Sequence, residues 1–172
     1  MKHPPRDREV HKSELCGHPH YRFWNIDSYY LKKSVVKRMN SSIKKNNAIR
    51  VLHLDRDKLF LHTSKEILQM FGNFEIDLAT NVSEADEALR QKQYDVIVGG
   101  YYVDRLGLIN GLDFFMKLRA KGNTTPFIMF TIHEEIKEEA LKCRVSKFID
   151  KNMDCETVYT RLSNSIRELV VE

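Results

Sequence analysis

The chain has little that could staple it together or anchor it in a lipid bilayer. Its 172 residues include three cysteines, Cys16, Cys143 and Cys155, with no Cys-x-x-Cys spacing and one left over from any pairing. That count argues against a disulfide framework and for a reducing compartment. No apolar run approaches the ~20 residues that a membrane span needs. The opening Met1-Lys-His-Pro-Pro-Arg6 carries charge with no apolar block behind it, unlike a secretory leader. A cytoplasmic protein without membrane contact is the expectation. A hydrophobic content of 42% is enough for a real core.

Charge of one sign is also scarce overall, but the net +4 hides an asymmetry. Residues 1–50 hold 12 Lys/Arg against 4 Asp/Glu, whereas residues 51–172 hold 16 against 20. The chain therefore divides into a basic extension, residues 1–48, and a mildly acidic body, residues 49–172, to be read separately.

In the body the apolar period changes repeatedly. Arg50-Val-Leu-His-Leu54 is a short, mostly apolar run that stops at Asp55-Arg-Asp57. Leu59, Leu61, Ile67, Leu68 and Phe71 recur at helical spacing before Gly72. Phe74–Leu78 alternates as a strand does, and Ser83 is the predicted cap of a helix through Ala85, Ala88 and Leu89. Tyr94-Asp-Val-Ile-Val98 has the composition of a strand buried on both faces. Leu112, Phe115, Met116 and Leu118 predict a helix ending at Gly122, and Pro126–Thr131 a fourth strand. A charged helix over about Glu134–Lys142, a strand at Ser146–Ile149 and a last helix capped by Asp154 complete the series. Five strands each followed by a helix imply a parallel sheet covered on both faces. Right-handed crossovers then favour the α/β, flavodoxin-like order 2-1-3-4-5. In such a sheet the ligand crevice lies beyond the carboxyl ends of strands 1, 3 and 4, here Asp55–Asp57, Gly99–Tyr101 and Thr131.

Over about 120 residues this pattern resembles the receiver domain of two-component response regulators, closest in flavour to archaeal receivers. The resemblance rests on Val51-Leu-His-Leu-Asp-Arg-Asp57, Tyr94-Asp-Val-Ile-Val98, Asn110-Gly-Leu-Asp-Phe-Phe115 with Leu118–Asn123, Pro126–Thr131, and Lys147-Phe-Ile-Asp-Lys151, in that order. By position it implies that Asp55 is the first acid of the pocket. It likewise makes Thr131 and Lys151 the phosphoryl-contacting pair and Phe148 the aromatic that rotates inward on activation.

Two positions depart from the family. The second acid, a direct Mg²⁺ ligand in family members, is Arg56, and the phosphoaccepting aspartate is replaced by Gly100 in Val98-Gly-Gly-Tyr101. The loop from there to Gly111 is about three residues longer than usual. A phosphoaspartate needs a carboxylate nucleophile, and Mg²⁺ needs oxygen ligands that a permanently charged guanidinium repels. The resemblance thus implies a pseudo-receiver with Mg²⁺ binding lost, no catalytic residues and no resident metal. Arg56 either folds inward onto Asp55 as a built-in cation or swings into solvent. Thr131 reads as an ordinary packing residue, and Asp104 and Asp113 as unlikely substitutes for the lost acceptor.

The basic extension carries Cys16, His18 and His20, too few for a closed zinc site. A helix is expected over about residues 27–43, from Leu31, Val35, Met39 and Ile43 at four-residue spacing. Three functions remain open at this point. A signalling module can act by protein contact, with a histidine kinase, another regulator or a second copy as partner. A regulator can bind nucleic acid through residues 21–50, a less favoured reading, or a receiver can be phosphorylated at an atypical acceptor. An unrelated enzyme is disfavoured, because no nucleophile–base pair converges on the crevice.

Overall fold

The computed structural model describes residues 48–104 and 107–171. The predicted helix over 27–43 and the Cys16, His18 and His20 cluster lie outside them. Strands β1 (Ile49–Leu54), β2 (Phe74–Ala79), β3 (Val96–Gly99), β4 (Phe127–Thr131) and β5 (Lys147–Asp150) form one sheet in the order β2-β1-β3-β4-β5. Every pairing is parallel. Helices α1 (Lys58–Phe71), α2 (Val82–Gln91), α3 (Gly111–Ala120), α4 (Lys137–Lys142) and α5 (Cys155–Val171) alternate with the strands. The predicted order and element count are those observed.

The two-residue period of the strands sorts the core into two halves. Leu52 and Leu54 of β1, Ile97 of β3, and Phe127 and Met129 of β4 pack against Val82, Ala85, Leu112, Phe115 and Ala140, so α2, α3 and α4 cover this face. Val51, Val96, Val98, Ile128 and Phe130 point the other way, onto Phe60, Leu68, Val158, Tyr159 and Leu162 of α1 and α5. All residues of β3 and β4 are buried, as sheet positions covered on both faces require.

Element boundaries moved where polar side chains had a better use. Asn81, not Ser83, caps α2: its side chain accepts the Glu84 N–H at 2.9 Å, and Glu84 accepts from the Thr80 N–H at 2.6 Å. The reason is Val82, whose side chain is buried in the core and so is drawn into the first turn. The third strand starts at Val96 because Asp95 turns its carboxylate onto the Arg50 N–H, 2.7 Å away, and the Arg50 guanidinium, 3.1 Å away. The charged helix begins as a 3-10 turn over Glu134–Ile136 before α4. Among the described residues no helix is long and apolar enough to cross a membrane.

Candidate functional site

The carboxyl ends of β1, β3 and β4 meet at one crevice, and the chain's local chemistry fixes its contents. Asp55 follows β1, its N–H donating to the Ala79 carbonyl at 3.1 Å. One carboxylate oxygen, Oδ1, accepts the Asp57 N–H at 3.0 Å, and Asp57 in turn caps α1 by accepting from the Phe60 N–H at 3.0 Å. The other oxygen, Oδ2, accepts from the Lys151 ammonium at 2.7 Å. Only 12–13% of either side chain is exposed, so this pair is largely removed from water.

Lys151 is positioned by its own backbone, whose N–H donates to the Thr131 carbonyl at 2.8 Å. Its ammonium lies 3.9 Å from the centroid of the Phe60 ring and 4.8 Å from that of Phe130. The charge thus sits against two aromatic faces and one carboxylate, an arrangement that substitutes quadrupole and Coulomb attraction for lost hydration. Thr131 is buried, with its hydroxyl oxygen accepting the His133 N–H at 3.2 Å. That bond shapes the turn after β4.

Gly100 is buried beside this pair, its N–H donating to the Leu54 carbonyl at 2.9 Å. A Cβ built at Gly100 would lie 2.6 Å from Asp55 Oδ2. Gly111 closes the far side of the loop: its N–H donates to the Tyr101 carbonyl at 2.6 Å, and any Cβ there would collide with the Gly100 carbonyl oxygen. The loop is therefore stitched down at both ends, with Tyr102 and Asn110 forming an isolated antiparallel bridge. Asp113 is not free for chemistry, since it forms a capping box with Asn110 at the start of α3.

Of the two fates open to Arg56, the inward one is not adopted. The residue is exposed, its guanidinium stacks on the Tyr102 ring at 4.7 Å from the centroid, and its N–H donates to the Tyr102 carbonyl at 3.3 Å. The cation on Asp55 is Lys151 instead. The physical reason is competition for one oxygen: an ammonium already held by two aromatic rings and a short strand-end tether occupies Oδ2. Phe148 is half-buried and packs against the α2–α3–α4 half of the core.

Several neighbours escaped the reading of the sequence. His53 looked like one member of an apolar run, yet it is fully buried with Nδ1 3.4 Å from the Ser64 hydroxyl and its ring 5.9 Å from Phe60 and 6.1 Å from Phe130. Burial, and secondarily the Lys151 ammonium, press its pKa down to about 3, partly opposed by Asp55. Nothing in residue type alone marks Phe60 and Phe130 as ring walls for Lys151. The available signals were the shared face of Phe130 with Val98 and Ile149, and the place of Phe60 in the first turn of α1 after Asp57.

The assembled features are those of one known domain. The family model for the response regulator receiver domain matches residues 51–163. The fold is similar to the receiver domain of Francisella response regulator 1452, at 22% identity and a TM-score of 0.63, over 72% of this chain and 97% of that one. It is similar to the response regulator domain of Thermotoga maritima CheB, at 24% identity and a TM-score of 0.63, over 73% of this chain and 98% of that one. A CheY-like receiver domain protein from Methanospirillum hungatei matches at 18% identity and a TM-score of 0.60, over 72% and 97% of the respective chains. No curated protein sequence matches. The chain belongs to the response regulator receiver domain family of two-component signalling, whose members typically engage kinases or other regulators.

Proposed function

We propose that this receiver domain works without phosphotransfer, by contact with a protein partner, and that its former reaction pocket has become a structural pair. The carrying observation is the 2.7 Å contact of the Lys151 ammonium with Asp55 Oδ2, beside a glycine whose absent side chain would point at that same oxygen. Gly100 offers no nucleophile. Lys151, which in an active family member would meet a phosphoryl oxygen, already has its anion.

The donor set does not fit Mg²⁺. A hard divalent cation seeks several oxygen ligands in octahedral geometry. At this crevice the two oxygens of Asp55 hold the Asp57 N–H and the Lys151 ammonium, the Asp57 carboxylate caps α1, and a guanidinium stands between them in sequence. Thr131 and Phe148 keep the family's positions, and in this reading they transmit partner binding at most, not phosphorylation. The partner is a histidine kinase, another regulator or a second copy of the chain.

The test is an amide NMR titration of the full chain with Mg²⁺ and beryllofluoride, with acetyl phosphate treatment and intact-mass measurement alongside. Unchanged resonances at Asp55, Gly100, Thr131 and Lys151 and an unchanged mass are expected. Saturable shifts reaching Phe148, or a mass gain of one phosphoryl group, would overturn the proposal.

A further inference from the structure

At the end of the sheet opposite the crevice, the α1–α5 half of the core is left partly open. The core-facing stripe of α5 runs through Val158, Leu162 and Ile166, all buried, and continues into Leu169, half-buried, and Val170, 39% exposed. Phe71, which ends α1, and Ile49, which starts β1, are half-buried against the same core. The Arg167 guanidinium donates to the Phe71 carbonyl, so α5 meets the end of α1 on the side that bears Arg167. Val170 is three residues on from Arg167 and four from Ile166, which places it on that same side. The Ile49 N–H donates to the Asn73 carbonyl at 3.0 Å, tying the start of β1 to the turn after α1. Leu141, 50% exposed near the end of α4, stands instead among the exposed charges of Lys137, Glu138, Lys142 and Arg144 and continues no such stripe.

The polypeptide enters the body at this same fringe. Segment 27–43 carries Leu31, Val35, Met39 and Ile43 at four-residue spacing, and only residues 44–48 separate Ile43 from Ile49. That tether spans roughly 20 Å when fully extended. The fringe begins at its anchoring point, whereas the crevice lies ~17 Å farther along β1, at the limit of its reach. We propose that segment 27–43 folds back as a helix and lays its Leu31–Val35–Met39–Ile43 stripe on Ile49, Phe71, Leu169 and Val170. The stripe supplies the apolar cover that the end of α5 lacks, and Lys33 and Lys37, on the far side of such a helix from Val35, face outward. A stripe on so short a tether acts at roughly millimolar effective concentration, which a second copy in dilute solution does not match.

The experiment is methyl NMR of the full chain in dilute solution, with a sample mixed from differently labelled copies to separate contacts within one chain from contacts between two. Nuclear Overhauser cross-peaks are expected from the Met39 and Ile43 methyls to the Leu169 and Val170 methyls and the Phe71 ring, within one chain. They should persist in ~1 M NaCl, where contacts made by exposed charges are screened. Val170→Asp should abolish them and shift the Met39 and Ile43 methyls, while Leu141→Asp leaves both as in the parent. Met39→Asp, which lies outside the body, should shift Ile49, Phe71 and Leu169 and leave the resonances of β3 and β4 in place. The proposal is overturned if the cross-peaks are absent, run to Leu141 instead, or arise only between copies. Their loss in ~1 M NaCl, or their survival in both Val170→Asp and Met39→Asp, would overturn it too.

Discussion

The two ends of the sheet hold ion pairs of the same residue types under opposite conditions. At the amino end Arg50 meets Asp95 at 3.1 Å, and near the β2 edge Lys92 meets Glu75 at 2.7 Å and Asp77 at 2.8 Å, with side chains 29–55% exposed. At the carboxyl end Lys151 meets Asp55 at 2.7 Å with side chains 12–13% exposed. Distance does not separate them; water does. Exposed pairs gain a few tenths of a kcal/mol and are screened by salt. A desolvated pair is costly to assemble and far more costly to break on one side only. The crevice therefore tolerates change only when both partners change, a constraint that the amino end does not feel.

The sharpest way to break that contrast is to remove one crevice partner. Asp55→Ala leaves the Lys151 ammonium against two aromatic rings with no anion, and should lower stability by about 3 kcal/mol. Replacing both, as Asp55→Leu with Lys151→Met, should restore stability to within about 1 kcal/mol of the parent. Urea unfolding of the single and double variants measures both. If the single variant loses less than the double one, the pair is not an isolated charge couple and the comparison fails.

Restoring the acceptor probes the same oxygen from the other side. Gly100→Asp drives a Cβ to 2.6 Å from Asp55 Oδ2 and adds a second carboxylate, so it should destabilise by about 2 kcal/mol through crowding and like-charge repulsion. Adding Arg56→Asp rebuilds the acidic set, and millimolar Mg²⁺ should then raise the melting temperature of the double variant while leaving the parent unmoved. A parent stabilised equally by Mg²⁺ would show that the cation binds elsewhere.

His53 turns the comparison into a pH dependence. Its folded pKa of about 3 lies below the ordinary 6.5, so the unfolded chain takes up the proton first. Its contribution is intact above pH 6.5 and is lost as pH falls from there toward 3, at up to ~1.4 kcal/mol per pH unit. His53→Leu should remove that slope between pH 6 and pH 4 while changing stability at pH 7 by less than about 1 kcal/mol, as its neighbours Phe60 and Phe130 accept an apolar side chain. An acid limb of unchanged steepness in urea-unfolding curves of the variant would assign the slope to other groups.

What could be read from the sequence follows from how local its causes are. The strand order came from short apolar runs separated by helical periods and from the right-handed crossover rule, and each run maps onto one sheet position. Asp154 was legible as a cap because its partner, the Thr157 N–H, is three residues away. The glycine at position 100 was legible in the sequence, but its approach to Asp55 Oδ2 was not. The Lys151 cage was not, since it joins residues 60, 130 and 151, brought together only by the completed sheet. Arg56 shows the same limit: the sequence offered two directions, and the choice depends on Tyr102, set down beside it by the bridge to Asn110.

The smallest expected effect completes the comparison from the amino end. Lys92→Met removes an ammonium from two carboxylates, a loss that on paper exceeds that of the single contact on Asp55. Because Glu75 and Asp77 are 55% and 42% exposed, water reclaims both, and the variant should lose only about 0.5 kcal/mol at low salt. In ~1 M NaCl, where the Debye length is near 3 Å, the difference from the parent should vanish. The loss in Asp55→Ala should persist at that salt concentration, since ions do not enter the gap between Phe60, Phe130 and Asp55. If added salt rescues Asp55→Ala as fully as it rescues Lys92→Met, the crevice pair is hydrated after all, and its burial does not set it apart from the amino end.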